Sequence, residues 1–166
     1  MCRICWRLDF ELVKNIKFVI VDVDGVLTDG TIYIDSQGCE TKAFSVLDGT
    51  GISYLHRVSI KTAIISGRNC NAVTHRAKEL GIEDVYQGIK NKLDAYNQLL
   101  EKYALRDEEI CYIGDDLIDL PILYRVGFSV AVANASPIVK RQSDYVTKAR
   151  GGYGAVREVA EKILRF

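Results

Sequence analysis

The segment from Val19 to Gly30 limits the possible folds of this chain more than any other, and it reads Val-Ile-Val-Asp-Val-Asp-Gly-Val-Leu-Thr-Asp-Gly. It begins as an apolar run typical of a buried strand, yet it contains Asp22 and Asp24 on either side of Val23. A buried carboxylate without a partner is strongly destabilising. The segment therefore predicts that a cation or a catalytic task accounts for the two carboxylates.

Length and charge exclude several classes of function. A chain of 166 residues with 48% hydrophobic residues is expected to form one domain around a single core. Because 22 basic residues balance 22 acidic ones, the whole protein has no net attraction to nucleic acid or to an acidic membrane. No apolar run reaches the roughly 18 residues of a spanning helix, and no signal peptide is evident. We therefore expect a cytoplasmic protein without nucleic-acid or membrane partners.

The cysteines predict neither a disulfide framework nor a zinc site. The chain has five, and three stand alone in sequence, Cys39, Cys70 and Cys111. Cys2 and Cys5 form a C-x-x-C pair, but a zinc site usually needs a second such pair or histidines at ligand spacing. We expect residues 1–14 to form a reduced leader with little order and residues 15–166 to form the folded domain.

Apolar strands alternate with amphipathic helices along the chain. A strand over residues 17–23 precedes an alternating hairpin pattern over residues 31–46 with a Ser-Gln-Gly turn. Further strands are predicted at 61–66, 85–87, 110–113, 129–132 and 145–146, and helices at 48–58, 71–80, 91–103, 117–124 and 155–164. This alternation predicts an α/β fold with a mostly parallel sheet between helices and a ligand site at the carboxyl ends of the strands.

Carboxylates follow two of these strands. Asp22 and Asp24 end the first, and Asp115, Asp116 and Asp119 follow a later strand in Ile-Gly-Asp-Asp-Leu-Ile-Asp. Carboxylates gathered at one sheet edge repel each other unless a cation lies between them, and such oxygen ligands suit Mg²⁺ with a substrate phosphate. The alternative for Asp119, or for Asp29, is a helix cap or turn residue.

Two further features fit a bound phosphate. Ile65-Ser-Gly-Arg brings a hydroxyl, backbone N–H groups and the Arg68 guanidinium to a strand end, where a phosphate could accept hydrogen bonds from Ser66 and from the Gly67 N–H. Lys92 opens a predicted helix and could neutralise charge during phosphoryl transfer. The alternative for a lysine near a helix start is a solvated surface residue.

In combination and in this order, Asp-x-Asp-Gly-Val-Leu-Thr-Asp-Gly, Ser-Gly-Arg, Lys and Gly-Asp-Asp-x-x-Asp resemble the four motifs of the haloacid dehalogenase superfamily. Six more segments, including Asp48-Gly-Thr-Gly-Ile, Gly114-Asp-Asp-Leu-Ile-Asp-Leu-Pro and Gly151-Gly-x-Gly-Ala-Val-Arg-Glu, resemble the capless 3-deoxy-D-manno-octulosonate (KDO) 8-phosphate phosphatase family. The resemblance covers residues 15–165. It implies a Rossmann-like fold of the haloacid dehalogenase type, with a β-hairpin after the first strand and no cap domain.

The resemblance also implies a mechanism and a ligand set for KDO 8-phosphate hydrolysis in lipopolysaccharide precursor synthesis. It makes Asp22 the nucleophile that becomes an aspartyl phosphate and Asp24 the general acid. It implies that Mg²⁺ binds Asp22, the Asp24 carbonyl and Asp115, that Ser66 and Lys92 hold the phosphate, and that Asp116 and Asp119 support the site. Substrate contacts are implied for Asp24, Ser45, Val46, Leu47, Asp48, Gly49, Gly67, Arg68, Arg76 and Lys92.

The resemblance also implies an oligomeric assembly, and the chain departs from the family pattern at two positions. The hairpin is expected to join a homotetramer in which a neighbouring subunit covers the site, since no cap domain does so. Ser53 stands where the family commonly has a basic residue, so one substrate contact is missing. Asn134 stands where aspartate is usual.

Three alternative functions share part of this pattern of residues. A phosphatase for a nine-carbon sugar acid 9-phosphate has the same fold, but such enzymes tend to carry Glu at the position of Arg68. A receiver domain of a signalling relay also combines carboxylates, Mg²⁺ and lysine, although its acidic pair and its phosphorylated aspartate lie on separate strands. A non-catalytic subunit would be expected to lose Asp22, Asp24, Lys92 or Asp115, and all four are present.

Overall fold

A parallel sheet with β1 and β6 at its centre organises the chain. The computed structural model describes residues 12–165, so Cys2, Cys5 and most of the predicted leader lie outside the described residues. Six strands pair in the order β5-β4-β1-β6-β7-β8, and every pairing is parallel. The strands are β1 (Phe18–Val21), β4 (Lys61–Ile65), β5 (Asp84–Tyr86), β6 (Ile110–Gly114), β7 (Phe128–Ala131) and β8 (Tyr145–Val146).

Two short strands, β2 (Tyr33–Ile34) and β3 (Glu40–Thr41), form a separate antiparallel hairpin. The hairpin was predicted, but its strands are shorter than the alternating pattern suggested. Residues from Val46 onward belong to the helix that follows the hairpin, because the Ser45 hydroxyl accepts a hydrogen bond from Leu47 N and caps that helix. The hairpin and that helix separate β1 from β4, and they leave no room for a cap domain.

Helices flank the sheet, and capping residues mark several of their ends. They are α1 (Val46–Arg57), α2 (Asn71–Leu80), α3 (Lys92–Tyr103), α4 (Leu120–Leu123), α5 (Pro137–Gln142) and α6 (Ala155–Leu164). The Asn91 side chain accepts from Leu93 N at the start of α3, and Gly81 ends α2 in the left-handed conformation. Helix α5 was not predicted, and the predicted helix at 117–124 is a 3₁₀ turn followed by the short α4.

The core surrounds the two central strands, β1 and β6. All four residues of β1 are buried, with side chains at most 1% exposed, and β6 beside it is equally covered. Strands with helices on both faces need apolar side chains in both directions, which explains the continuous run Phe-Val-Ile-Val. Each such side chain contributes about 1.5–3 kcal/mol when fully buried. This burial fixes the position at which β1 ends.

The register brings the predicted site residues to one edge. Val21 pairs with Ile64 of β4 and with Ile113 of β6, so the three strands end side by side. Asp22, Ser66 and Asp115 follow those ends directly. Within residues 12–165, no helix has the length and apolar character that crossing a bilayer requires.

Helices α1 and α6 pack closely at Gly51. A Cβ built there would lie 2.8 Å from Arg157 Cα, which is backbone and cannot swing aside. We expect Gly51→Ala to lower the free energy of unfolding, because overpacking costs about 1–3 kcal/mol and exceeds the gain of about 1 kcal/mol in helix propensity. Urea unfolding measures the change. Ser53→Ala, in the same helix and half exposed, is the control and should leave stability equal or slightly higher.

Candidate active site

Lys92 forms the centre of the site. It opens α3 and is 3% exposed, and its Nζ lies 3.0 Å from Asp22 Oδ1 and 2.7 Å from Asp119 Oδ1. Burial acts to lower the pKa of Lys92, but the two carboxylates outweigh burial and raise it above its ordinary value. The side chain is therefore a fixed positive charge and not the solvated surface lysine of the alternative interpretation.

Asp119 supports this lysine with its whole carboxylate. Oδ1 accepts hydrogen bonds from Lys92 and, at 2.6 Å, from the Tyr112 hydroxyl. Oδ2 accepts from the backbone N–H groups of Asp115 at 2.9 Å and Asp116 at 3.2 Å. Asp119 thus caps the 3₁₀ turn, as one interpretation predicted, and also holds Lys92. Tyr112 was missed by the sequence analysis, because a tyrosine inside an apolar strand looks like a core residue.

A group of three carboxylates beside Lys92 has the character of a cation site. One oxygen from each of Asp22, Asp115 and Asp119 lies within 4.8 Å of the others. Burial, then the charges of Asp22 and Asp119, raise the pKa of Asp115 to about 8. Burial, opposed by Lys92, raises the pKa of Asp22 to about 6. Because the hydrogen bonds above occupy Asp119, Asp22 and Asp115 are the carboxylates left for a hard cation such as Mg²⁺, and they fit it.

The turn after Asp22 approaches the Asp115 side chain so closely that only glycine fits at position 25. Gly25 has φ 88°, and a Cβ there would lie 2.1 Å from Asp115 Oδ2. Asn134 holds this turn: its Nδ2 donates to the Gly25 carbonyl at 2.9 Å, and its Oδ1 accepts from Gly151 N at 2.6 Å. An aspartate at 134 could accept from Gly151 but has no N–H for Gly25. The departure at Asn134 is therefore suited to its place in this chain.

Asp24 lies one step outward, in contact with the hairpin. Its Oδ1 accepts a hydrogen bond from Lys42 Nζ, which also lies 2.7 Å from Glu40 Oε1. Arg68 Nη2 donates to Glu40 Oε2 at 2.8 Å, and Arg68 Nε is 3.8 Å from Asp24 Oδ2. We call Asp24, Glu40, Lys42 and Arg68 the hairpin ion cluster.

Two members of the hairpin ion cluster, Glu40 and Lys42, were missed by the sequence analysis. Hydrogen bonding by Lys42 is the main reason that the pKa of Glu40 is lowered. Burial acts to lower the pKa of Lys42, but its bonds to Asp24 and Glu40 raise it overall. The available signal was the alternation Glu40, Lys42, Phe44, which puts all three on the inward face of the hairpin.

Ser66 and its neighbours take the place expected of them at the end of β4. The Ser66 side chain is buried, and its Oγ accepts from Arg68 N at 3.3 Å across the exposed Gly67. The Arg68 guanidinium is turned toward Glu40 and Asp24, two other members of the hairpin ion cluster. The strand end therefore presents a hydroxyl and a guanidinium on the side of Asp22 and Asp24.

The segment predicted to contact the sugar acid divides into two parts. Ser45, Val46 and Leu47 form the partly open start of α1, and Arg76 Nη2 donates to the Ser45 carbonyl at 3.2 Å. Asp48 and Gly49 are buried.

The Asp48 carboxylate is directed into the protein, toward the start of α6, and the substrate contact that the resemblance implies for Asp48 stays a prediction. Asp48 is 1% exposed and accepts from Gly154 N at 3.2 Å and from Arg157 N at 3.0 Å. The physical reason is that Gly154, at the start of α6, has no side chain with which to cap that helix. Asp48 therefore joins α1 to α6.

Two other aspartates have local roles. Asp116 is exposed, and its Oδ1 accepts from Leu117 N at 2.7 Å. Asp29 Oδ1 accepts from Thr31 N at 2.8 Å, as the turn interpretation predicted. Among the residues that the structure describes, Cys39, Cys70 and Cys111 are free thiols.

Comparison with known proteins places this arrangement in a family. A sequence model of the haloacid dehalogenase-like hydrolases matches residues 83–158. The 3-deoxy-D-manno-octulosonate 8-phosphate phosphatase KdsC of Escherichia coli K12 is 51% identical over 151 residues, which cover 91% of this chain and 80% of the relative. The chain belongs to the KDO 8-phosphate phosphatase family.

Solved structures of the family have the same fold. The Yersinia pestis phosphatase has a TM-score of 0.93 at 49% identity, covering 95% of this chain and 85% of that one. The Moraxella catarrhalis phosphatase, described as a complex with a magnesium ion, a phosphate ion and KDO, has a TM-score of 0.93 at 45% identity, covering 96% and 91%. The fold predicted from the sequence is thereby confirmed, including its hairpin after β1.

The raised pKa of Asp115 predicts how metal-free protein responds to pH. Between the ordinary carboxyl pKa near 4 and the folded value of about 8, the folded state binds more protons than the unfolded state. Stability in a chelator should therefore fall as the pH rises from 5 to 8, and Asp115→Asn should flatten this slope. Added Mg²⁺ at pH 8 should raise the melting temperature of the wild type and have much less effect on Asp115→Asn.

Asp94→Asn is the control, since Asp94 is an exposed carboxylate at the start of α3. It should keep both the pH slope and the response to Mg²⁺. An Asp115→Asn variant that Mg²⁺ stabilises as much as the wild type would contradict the assignment of this carboxylate to the cation.

Proposed function

We propose that the protein is a Mg²⁺-dependent phosphatase that hydrolyses KDO 8-phosphate to KDO and inorganic phosphate. The observation that carries this proposal is the buried Lys92 fixed between Asp22 and Asp119, with Asp115 beside them, in a chain 51% identical to a KDO 8-phosphate phosphatase. Carboxylates, one fixed ammonium and a strand-end hydroxyl are the groups that phosphoryl transfer needs. The Moraxella catarrhalis relative is described with magnesium, phosphate and KDO bound.

In the first step, an ionised Asp22 oxygen attacks phosphorus and the bond between phosphorus and the sugar oxygen breaks. The product is an aspartyl phosphate, which divides one difficult displacement into two easier ones. Lys92 neutralises charge on the transferred group, and the Ser66 hydroxyl donates to a phosphate oxygen. Both groups come from buried positions, so they are already oriented before the substrate binds.

Asp24 handles the proton in both steps. It gives a proton to the leaving sugar oxygen, and it later takes one from the water that attacks the aspartyl phosphate, which restores Asp22. Asp22 cannot do both tasks because it carries the phosphoryl group. Asp24 lies outward of Asp22 and contacts Lys42 beside the hairpin, and this position suits the division of tasks.

Asp22, Asp115 and the Asp24 backbone carbonyl would hold the Mg²⁺. When bound, the ion lowers the charge repulsion between the carboxylates and the phosphoryl group. The high pKa that burial gives Asp115 supports this proposal, because a cation next to such a carboxylate stabilises its ionised form.

Arg68 suits the carboxylate of the sugar acid. Its side chain is 46% exposed, and its planar guanidinium can form two parallel hydrogen bonds to a carboxylate. In this structure Glu40 occupies it. A substrate carboxylate would replace Glu40 as its partner or share it, which favours an acidic sugar over a neutral one.

The hairpin also supports a proposed homotetramer. Ile32, Tyr33 and Ile34 are 45%, 48% and 64% exposed, and the two-stranded β2-β3 ribbon is separate from the main sheet. A ribbon of two strands is marginal in water by itself, and its exposed apolar side chains favour burial against another subunit. We propose that four copies join through this hairpin and that a neighbouring hairpin helps to cover the site.

A substrate panel tests the proposed activity. Purified protein with Mg²⁺ should release inorganic phosphate from KDO 8-phosphate with a higher kcat/KM than from a nine-carbon sugar acid 9-phosphate or from a neutral sugar phosphate. Asp22→Asn should lower kcat about a thousandfold or more, because it removes the nucleophile.

The panel separates two kinds of failure. A higher kcat/KM for the nine-carbon substrate would overturn the choice of sugar and leave the phosphoryl transfer steps in place. Full activity of Asp22→Asn would overturn the mechanism. Asp94→Asn again serves as the control and should keep wild-type kcat and KM.

The proposed tetramer predicts a coupled loss of assembly and activity. We expect Ile34→Asp to shift the molar mass in solution toward monomer or dimer, since it puts a charge on the apolar face of the hairpin, and to lower kcat/KM on KDO 8-phosphate. Light scattering after size exclusion measures the mass. Ser36→Asp, which adds the same charge at the exposed turn, should change neither. A wild-type protein that is monomeric and fully active would overturn the proposed assembly.

A further inference from the structure

Lys42 is a buried cation that the mechanism above leaves unused. Its side chain is 1% exposed, and it follows β3 on the inward face of the hairpin. Nζ bonds Asp24 Oδ1 and lies 2.7 Å from Glu40 Oε1. Burying an ammonium is strongly unfavourable unless acids pair with it. The two acids that satisfy Lys42 are the proposed proton carrier and a hairpin glutamate.

The two oxygens of Asp24 have different surroundings. Oδ1 is bonded to Lys42, whereas Oδ2 is buried and has no hydrogen-bond partner. Arg68 Nε lies 3.8 Å from Oδ2, beyond hydrogen-bond distance. Within residues 12–165, Lys42 is thus the one side chain that donates a hydrogen bond to this carboxylate. Lys42 fixes the rotation of the Asp24 carboxylate, and it leaves Oδ2 without a hydrogen bond among the described residues.

We propose that Lys42 is a positioning residue for Asp24, holding Oδ1 so that Oδ2 exchanges the proton with the leaving sugar oxygen and then with the attacking water. The proposal rests on the proton transfer assigned to Asp24 above. It gives the hairpin a part in the chemical step, in addition to any part in covering the site. Lys42 does not touch the reacting atoms and acts only through Asp24.

Glu40 provides the comparison that separates positioning from simple hairpin stability. It holds both Lys42 and Arg68, so Glu40→Gln weakens the hairpin ion cluster while the bond between Lys42 and Asp24 remains. If Lys42 only fixes the hairpin, Lys42→Met and Glu40→Gln should have the same effect on kcat. If Lys42 orients Asp24, the loss of kcat in Lys42→Met should be the larger.

The first test is steady-state hydrolysis of KDO 8-phosphate. We expect Lys42→Met to lower kcat about tenfold to a hundredfold, within the range that acid–base groups contribute, and to change KM by less than about threefold. Glu40→Gln should lower kcat less and should shift KM, since the Arg68 guanidinium loses the carboxylate that holds it in this structure. Lys61→Met is the control: Lys61 pairs only loosely with the exposed Glu83, at 3.9 Å, and the variant should behave as wild type.

The second test uses p-nitrophenyl phosphate, whose leaving group departs without a proton. In rapid mixing, Lys42→Met should keep the burst of p-nitrophenolate that reports phosphorylation of Asp22, while the turnover after the burst slows because water still needs Asp24. Placing Lys42→Met in an Asp24→Asn background should cause no further loss, since the residue acts through Asp24. This test does not depend on the sugar. If the wild type failed on KDO 8-phosphate, the proposed substrate would fall while the Lys42 proposal could still be judged.

Three outcomes would overturn the proposed role of Lys42. The proposal is wrong if Lys42→Met keeps wild-type kcat, if it loses no more than Glu40→Gln, or if its loss is equally large in the Asp24→Asn background. Should Lys42→Met not fold, the double variant Glu40→Gln/Lys42→Met removes one charge of each sign and is compared with Glu40→Gln alone. Melting temperatures of all variants with Mg²⁺ and inorganic phosphate confirm that each binds ligand in a folded state.

Discussion

The ion pairs of Lys92 with Asp22 and Asp119 are the interaction on which the rest of the site depends. They join the end of β1, the start of α3 and the turn after β6, which are far apart in sequence. Because the ammonium is buried, loss of either acid would leave it with one acidic partner in place of two, and breaking a buried ion pair is strongly destabilising. The same contacts that keep the sheet edge intact therefore hold the phosphate-binding cation in place.

Much of the fold and the inner part of the site could be predicted from local patterns. Apolar runs identify β1, β4 and β6, and because parallel strands end at one edge, Asp22 and Asp115 had to meet there. The lengths of β2 and β3 and the helix α5 were less accessible, since short segments carry few periodic positions. The strand pattern also concealed Tyr112, whose hydroxyl matters only once Asp119 is placed beside it.

Polar contacts between distant segments could not be predicted from the sequence. Asp48 was predicted only as the start of a helix and as a substrate contact, but its carboxylate accepts hydrogen bonds from the N-terminus of α6, 106 positions away. Lys42 and Glu40 were predicted only as part of the hairpin, and their ion pairs depend on the tertiary position of Asp24 and Arg68. Such contacts are specified by shape and by unsatisfied hydrogen-bond groups, and neither repeats with a helix or strand period.

The separation of the hairpin from the main sheet has an evolutionary consequence. The turn that holds Gly25 is closed to change, since a Cβ at Gly151 would lie 1.7 Å from the Gly25 carbonyl oxygen, and neither position tolerates a larger residue. The hairpin is less restricted outside its inward face and the apolar residues proposed to join subunits, because no strand of the main sheet pairs with it. Substitutions can accumulate there and at the start of α1 without moving the phosphoryl-transfer groups. A fold built in this way can acquire a new sugar preference by drift on one exposed element while its reaction stays constant.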